Sequence, residues 1–328
     1  MRGLRLSPDP SGRVHGNGEG AGYKHGPEPA ATIFCAFRSH TRNIRADLSF
    51  PNGIFAANAR RPSGRILSMH FTKMQGCGND FLVFDPEEVE GVDLPDLARR
   101  ACDRHFGVGA DGILIAAPSG SSDLEMVYLN SDGSPSEMCG NGLRCLARYA
   151  RDRGMAEGDA LTVATGAGVK KLILFEDGSS RVDMGAPRLD TEVEVGGFRF
   201  LRVSIGNPHA VAFLDSEAAV EALDLPTIGP PIEEDTVFPE KTNVEFGFAW
   251  NEREVRMRIW ERGAGETLAS GSGSCAVAVA AMSKGLTHNP VNVCLDGGVV
   301  EIEWSGEGEP VYMKGPAEYV CEGELLQD

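Results

Sequence analysis

An internal repeat beginning at Met69 constrains the fold of this 328-residue chain more than any other feature. In the first half, an alternating, strand-like run over residues 124–129 leads through a polar turn to Cys139-Gly140-Asn141-Gly142 and a helical pattern. In the second half, a similar run over residues 255–260 leads to Ser270-Gly271-Ser272-Gly273 and another helical pattern. Ordered repetition of this kind indicates two copies of one structural unit.

The two predicted helices differ in the surfaces they present. The second is apolar on all sides over residues 275–282, so we expect it to be buried at the centre of its domain, with Gly285 near its end. The first is predicted to be amphipathic and to stop at Gly154. Its apolar face would be formed by Leu143, Leu146, Ala147 and Ala150, and the rest of its surface by Arg144, Arg148 and Arg151.

A second pair of similar motifs supports the repeat. Gly78-Asn79-Asp80 and Gly206-Asn207-Pro208 each lie between strand-like runs. Glycine recurring at helix entrances is the alternative explanation. We predict an α/β (α+β) chain of two pseudo-symmetric domains, over residues 69–187 and 188–310, with the functional site in the cleft between them.

The chain is acidic, with a formal net charge of −17, but the charge is unevenly placed. Residues 1–68 hold ten Lys and Arg against four Asp and Glu, and residues 69–328 hold 21 against 44, a net −23. The strong negative charge of residues 69–328 disfavours a nucleic-acid partner. Residues 1–68 are a basic Gly/Pro/Arg-rich extension, predicted to be disordered or absent from the mature protein. A transit peptide and an over-extended reading frame would each account for it.

Neither a membrane nor a secreted location is predicted. No stretch reaches the roughly 18 apolar residues that a spanning helix needs. The eight cysteines are scattered, without a secretory signal, and are typical of free thiols in a reducing cytosol. We therefore expect a cytoplasmic protein, with organelle import through residues 1–68 left open.

Three motifs fail their structural requirements. Residues 107–112 match a dinucleotide-binding fingerprint, but a helical segment precedes them and a strand-like one follows, the reverse of the required order. The seven histidines are dispersed and there is no Cys-x-x-Cys pair, so no metal site is predicted. Ser270 and Ser272 lack the glycine spacing of a serine-hydrolase elbow.

Cys139 is the strongest chemical candidate. A thiol at a helix entrance can have its pKa lowered from about 8.5 to roughly 3.5–7.5, which would make it a base near neutral pH. A small buried hydrophobic residue, as expected for Cys145, is the alternative. The N–H groups of Gly140, Asn141 and Gly142, and those of Gly271 and Ser272, would form two anion sites able to hold a carboxylate.

Several polar residues in loops beside strands are further candidates for binding a substrate. Glu261 and Arg262 form an adjacent pair of opposite charges that could recognise an ammonium and a carboxylate, although a solvated surface pair is the ordinary alternative. The others are asparagines, each of which is more often a turn residue: Asn79, Asn130, Asn207 and Asn243.

Together these residues resemble the diaminopimelate epimerase family. Five blocks carry the resemblance, in the family's order and across essentially all of residues 69–328: residues 73–81, 130–134, 138–142, 206–209 and 261–267. The resemblance implies that each domain is a curled mixed or antiparallel sheet around a central helix. It also implies that a C-terminal strand over residues 311–320 returns to the first domain, to which residues 311–324 would belong.

The resemblance further implies a cofactor-independent isomerase, without pyridoxal phosphate or metal. The family interconverts LL-2,6-diaminopimelate and meso-diaminopimelate, for lysine and peptidoglycan biosynthesis, and its members are expected to be homodimers. Inversion needs a base on one face of the α-carbon and an acid on the other. By family pattern Cys139 is one of these, and His209 and Glu261 assist. The implied substrate-binding set is Asn79, Asn130, Gly140, Asn141, Asn207, Asn243, Glu261, Arg262, Gly271 and Ser272.

The sequence departs from this pattern at two positions. Ser270 stands where the second catalytic cysteine is expected, and Cys275 lies too far along the helix to replace it. Gly112 stands where many members have glutamine. A hydroxyl is a much weaker acid than a thiol, so epimerisation is expected to be impaired. A repurposed isomerase or dehydratase of the same fold and a non-catalytic binding protein are the alternatives.

Overall fold

The computed structural model describes residues 67–327, all within one compact unit, so the extension lies outside the described residues except for its last two. The first half begins with β1 (Leu67–Gly76), β2 (Asn79–Phe84), a 3-10 turn (Pro86–Val89), α1 (Leu94–Ala101), β3 (Gly112–Ala117) and β4 (Leu124–Asn130). It continues with α2 (Gly140–Asp152), β5 (Ala160–Thr165), β6 (Gly168–Leu174) and β7 (Ser180–Asp183).

The second half repeats this order with three added strands, and with two helices where the first half has a 3-10 turn and one helix. It begins with β8 (Arg188–Val195), β9 (Phe198–Ser204), β10 (Pro208–Phe213), α3 (Glu217–Glu221), α4 (Leu225–Glu233), β11 (Asn243–Asn251) and β12 (Glu254–Glu261). It continues with β13 (Gly265–Glu266), α5 (Gly271–Ser283), β14 (Val291–Leu295), β15 (Gly298–Trp304), β16 (Val311–Gly315) and β17 (Glu318–Gln327).

Strand directions repeat between the halves. The first half pairs in the order β17, β1, β2, β3, β4, β5, β6, β7, and the second in the order β8, β9, β10, β11, β12, β14, β15, β16. In each order the pairings run antiparallel twice, parallel, antiparallel, parallel, and antiparallel twice. This confirms the predicted class, a mixed α and β fold of two repeated units.

The C-terminal segment connects the halves in two ways. The sequence predicts one strand over residues 311–320, whereas the structure has two strands, divided at Pro316, which lacks the N–H that a ladder requires. The first, β16, pairs with β7 and joins the two sheets edge to edge. The second, β17, pairs with β1 and takes the position in the first half that β8 takes in the second.

Each sheet curls around one helix, since α2 contacts β1, β2, β3, β6 and β7, and α5 contacts strands from β9 to β16. The prediction that α5 is buried on all sides is confirmed. The prediction that α2 is amphipathic is confirmed only in part, because Arg148 and Arg151 are partly exposed whereas Arg144 is fully buried. Both helices end as predicted, at Gly154 and Gly285, which adopt φ of 68° and 69°.

The fold also settles two smaller points. Helix α1 precedes the glycine-rich residues 107–112 and β3 follows them, so the reversed order that argues against a dinucleotide site is present in the structure. Within residues 67–327, no helix is long and apolar enough to cross a membrane.

Candidate active site

The two central helices begin with N-caps of the same geometry. Cys139 caps α2 with φ of −136° and ψ of 121°, and its sulfur accepts the N–H of Gly142 at 3.5 Å. Ser270 caps α5 with φ of −136° and ψ of 120°, and its Oγ accepts the N–H of Gly273 at 3.3 Å. The two side chains that the sequence proposes for proton transfer are thus structurally equivalent.

The N-termini of α2 and α5 meet at the boundary between the halves. A Cβ built on Gly271 would lie 3.6 Å from the Cα of Gly140. The same atom would lie 3.2 Å from Cε of Met313, and a Cβ on Gly140 would lie 2.9 Å from that methyl group. Because both helices direct their first N–H groups toward one region, the positive ends of two helix dipoles act there together.

On the α2 side, Asn79 connects the cap to the rest of the first domain. Its Oδ1 accepts from the Cys139 thiol at 3.5 Å and from the Asn141 amide at 3.2 Å. Its Nδ2 donates to Asp111 at 2.6 Å, so the amide has a fixed orientation. Asp111 was not among the predicted site residues, and its position directly before Gly112 gave no sign of this contact.

The pKa of Cys139 does not behave as the sequence predicts. Burial raises the pKa of the thiol, and the N–H groups of Gly142 and Asn141 lower it by less. The nearby carboxyl of Glu261 raises it, and the buried guanidinium of Arg144 lowers it. Desolvation of the thiolate therefore outweighs the helix N-terminus, and the pKa of Cys139 is raised where the sequence predicted that it would be lowered.

On the α5 side, Ser270 and Glu261 lie together. Burial raises the pKa of Glu261, while hydrogen bonds from Thr267 and Ser270 lower it by less. The Thr267 hydroxyl donates to Glu261 Oε1 at 2.5 Å. Glu261 ends β12 on the face that carries Ile259, against which the first turn of α5 packs through Gly273. A carboxyl with a raised pKa thus lies beside the hydroxyl that replaces the expected thiol.

Asn207 and His209 complete the second domain's part of the site. Asn207 Nδ2 donates to Ser272 Oγ at 3.4 Å, and Asn207 Oδ1 lies 3.0 Å from Nε2 of His209. His209 is buried against Glu245, a residue that the sequence did not single out. Alternation along β11 places Glu245 inward, but nothing in the pattern distinguished a carboxylate with a role from a structural one.

Three predicted binding residues use their polar groups on the protein itself. Asn243 donates to the carbonyl of Pro208 at 2.8 Å and accepts from the N–H of Arg262 at 3.0 Å. The exposed Arg262 guanidinium donates to the carbonyl of Glu240 at 3.0 Å. The Asn130 amide donates to Ser134 Oγ at 3.0 Å within its turn. In this conformation these three side chains shape loops around the cleft.

The glycine at position 112 is accompanied by an aromatic side chain. A Cβ at Gly112 would lie 2.7 Å from Cε2 of Tyr128 and 2.5 Å from the carbonyl oxygen of Leu129, so no side chain fits there. Burial raises the pKa of the Tyr128 phenol, and charges on Cys139, Asp111 and Glu261 raise it further.

The chemistry available at this boundary is proton transfer. A thiol and a hydroxyl occupy equivalent positions on two helices, each with a polar neighbour, around two sets of helix N–H groups. Within residues 67–327 no group of three or more His, Cys, Asp and Glu side chains is arranged to hold a metal ion. Six cysteines are free thiols: Cys77, Cys102, Cys139, Cys145, Cys275 and Cys294.

Comparison with known proteins identifies the family. The family model described as diaminopimelate epimerase matches residues 71–189 and 201–320. The chain belongs to the diaminopimelate epimerase family. A diaminopimelate epimerase from Moorella thermoacetica is 46% identical over 283 residues, which are 79% of this chain and 100% of that protein. One from Pelotomaculum thermopropionicum is 47% identical over 279 residues, 78% of this chain and 98% of that protein.

Solved structures show the same fold at much lower identity. A PhzF-family phenazine biosynthesis protein from Bacillus anthracis aligns with a TM-score of 0.62 at 18% identity, covering 80% of this chain and all of that one. A hydroxyproline epimerase from Agrobacterium vitis aligns with a TM-score of 0.58 at 15% identity, covering 80% and 93%. The family and the isomerase class expected from the sequence motifs are thereby confirmed.

Proposed function

We propose that this protein interconverts LL- and meso-2,6-diaminopimelate by removing the proton from one α-carbon and returning a proton to the opposite face. The observation that carries the proposal is the pair of equivalent caps, Cys139 and Ser270, on two helices whose N-termini meet. Relatives named diaminopimelate epimerase, about half identical across their whole length, support the substrate.

The substrate's α-carboxylate would bind where α2 and α5 meet. The N–H groups of Gly140, Asn141, Gly271 and Ser272 lie in first helical turns, where intrahelical acceptors are missing. They would hold the carboxylate and stabilise the negative charge that moves onto it when the α-proton leaves. Holding the carboxylate from both sides would leave the α-carbon between Cys139 and Ser270.

The Ser270 hydroxyl is a weaker acid than the Cys139 thiol, and we infer that Glu261 compensates by exchanging a proton with that hydroxyl. In one direction the Cys139 thiolate would take the α-proton while the Ser270 hydroxyl gives its proton to the opposite face and receives one from protonated Glu261. The reverse direction runs through the same groups. Because burial raises the pKa of Glu261, its protonated form persists closer to neutral pH, as this step requires.

The remaining assignments are part of the same proposal. Asn79, Asn141 and Asn207 would contact the reacting end of the substrate. Asn130, Asn243 and Arg262 would contact its distal end after rearranging their present hydrogen bonds. The two domains would be residues 69–187 with 311–324, and residues 188–310. We also propose a cytoplasmic homodimer, and light scattering of the purified protein measures its mass directly.

The testing experiment follows α-proton exchange and isomer composition of LL- and meso-diaminopimelate in deuterated buffer. We expect slow exchange in the native chain and a rise of about 10²–10⁴-fold in Ser270→Cys, the usual contribution of general acid–base catalysis. Cys139→Ala should abolish exchange, whereas Cys275→Ala, which removes a buried thiol from the same helix as Ser270, should not.

Each outcome distinguishes a different function. If Ser270→Cys epimerises and the native chain does not, the site is correct and this sequence is an inactivated form. If the native chain releases water or another leaving group from an amino acid without isomer exchange, a single thiol facing a hydroxyl performs elimination. If neither chain exchanges the α-proton while both bind diaminopimelate, the protein is a binding protein.

A further inference from the structure

His209 and Glu245 form a buried pair beneath the first turn of α5. His209 Nδ1 lies 2.5 Å from Glu245 Oε1, and neither side chain has exposed surface. In the parallel pairing of β10 with β11, Val211 lies opposite Glu245, so His209 is its diagonal neighbour on the same face. A Cβ on Gly273 would lie 3.1 Å from Oε1, so the helix covers the pair.

The second ring nitrogen of His209 contacts Asn207. Nε2 lies 3.0 Å from Asn207 Oδ1, and an amide oxygen can only accept, so Nε2 carries a hydrogen. The Asn207 amide nitrogen then donates to Ser272 Oγ at 3.4 Å, in the first turn of α5. Because both nitrogens of His209 are engaged, the imidazole has no free atom with which to exchange a proton with a substrate.

The number of protons on the pair determines the orientation of Asn207. With one proton between Nδ1 and Oε1 and another on Nε2, the pair is electrically neutral, which burial favours over a net charge. Burial raises the pKa of Glu245, and His209 and the N–H of Ala210 lower it by less. If Nε2 lost its hydrogen, the Asn207 amide would turn and present its oxygen, instead of its N–H groups, to Ser272.

We propose that Glu245 is a positioning residue, which acts through His209 to fix the Asn207 amide with its N–H groups toward Ser272 and the cleft. The inference rests on the proposed function, in which Asn207 contacts the reacting end of the substrate, the end that carries the bound α-carboxylate. N–H donors attract a carboxylate and an amide oxygen repels it. His209 is accordingly a positioning residue too, and it would assist the site by orienting Asn207.

A double-mutant cycle on substrate affinity tests this coupling. Calorimetric titration of the full chain with meso-diaminopimelate would compare Glu245→Met, Asn207→Ala and the double variant. We expect Glu245→Met to weaken binding about tenfold, as for one lost hydrogen bond, and the double variant to bind no more weakly than Asn207→Ala alone. Additive losses, or unchanged affinity in Glu245→Met, overturn the proposal.

A conservative variant separates positioning from packing. Glu245→Gln keeps the shape and offers an amide N–H to Nδ1, so its affinity should return to within about threefold of the native value. Loss of affinity equal to that of Glu245→Met would show that the negative charge itself is needed, which contradicts a neutral pair.

Nitrogen-15 NMR of the native chain tests the hydrogen-bond arrangement without substrate. The His209 ring signals are assigned by their loss in His209→Gln. Protonated Nε2 is the expected result, and unprotonated Nε2 overturns the proposal. If Nε2 is protonated but diaminopimelate does not bind, the proposed function fails while the pairing of Glu245, His209 and Asn207 stands.

Discussion

The exchange of sulfur for oxygen at Ser270 changes the chemistry of the α5 cap and leaves its structure unaltered. Ser270 and Cys139 have the same backbone conformation and both accept a first-turn N–H. Serine is among the best N-cap residues, so the substitution is favourable for the helix. A hydroxyl is nevertheless a far weaker acid than a thiol. Any loss of function should therefore appear in rates and not in stability.

Glu261 should have the opposite pair of effects. Its raised pKa assists the proposed proton transfer, and it lowers the stability of the folded protein. Its pKa is raised in the folded protein above the ordinary 4.5, so the folded state binds a proton that the unfolded chain releases. As pH rises from the unfolded pKa through the folded one, the native protein should lose stability relative to Glu261→Gln. Urea unfolding across this pH range measures the difference.

The exposed Glu307→Gln serves as the control for the substitution itself. A native chain whose stability rises relative to Glu261→Gln over the same range would show that hydrogen bonds from Thr267 and Ser270 outweigh burial. Proton exchange should fall in Glu261→Gln on the native background. The same substitution should lower exchange by less on the Ser270→Cys background, because the thiol there can itself ionise.

Sequence reasoning located the groups proposed to react, but not the effects that set their pKa values. Cys139 and Ser270 could be found because glycine-rich caps have a local signature. The raised pKa of Cys139 could not, because it depends on desolvation by residues distant in the chain. Glu245 could not either, since its partner His209 is brought to it by strand pairing.

At the scale of elements, the two helix entrances are equivalent but not equally crowded. A Cβ at Gly273 would lie 2.8 Å from Cδ1 of Ile259 and 3.1 Å from both Cε of Met257 and Oε1 of Glu245. At Gly142, the equivalent position of α2, the nearest atom is Leu114 Cδ2 at 3.4 Å, an ordinary contact. The same substitution should therefore have opposite effects in the two helices.

We expect Gly273→Ala to destabilise the protein by about 1–3 kcal/mol through overpacking. Gly142→Ala should be neutral or stabilising by up to about 1 kcal/mol, from helix propensity. Thermal or urea unfolding measures both changes in stability, and each variant is the matched control for the other. Equal destabilisation by both would mean that the two entrances are packed alike.

The elements themselves were largely predictable, and the errors have a common cause. The strand runs before each cap, the helix ends at Gly154 and Gly285, and the buried α5 all follow from local pattern. Arg144 was predicted incorrectly, because its position on a helical wheel indicates solvent, whereas the curled sheet covers that side of α2. The guanidinium instead donates to the carbonyl of Pro316 at 3.0 Å, a partner 172 residues away.

At the scale of the whole molecule, the two repeats are not independent folding units. One hydrophobic core cluster contains residues of both halves, including Leu143 of α2, Val277 of α5 and Met313 of β16. The first half also lacks a strand of its own at each edge. β1 pairs with β17 and β7 pairs with β16, both from the C-terminal end of the chain.

Residues 67–187 expressed alone should therefore fail to fold, since both edges of their sheet would be unpaired and the helix core would be open at Met313. Co-expression with residues 188–327 should restore a folded complex, because the missing strands are then supplied in trans. Far-UV circular dichroism and amide NMR dispersion distinguish the two states. Cooperative unfolding of residues 67–187 alone would contradict this, and would mean that the repeat can close without the strands it receives from the other half.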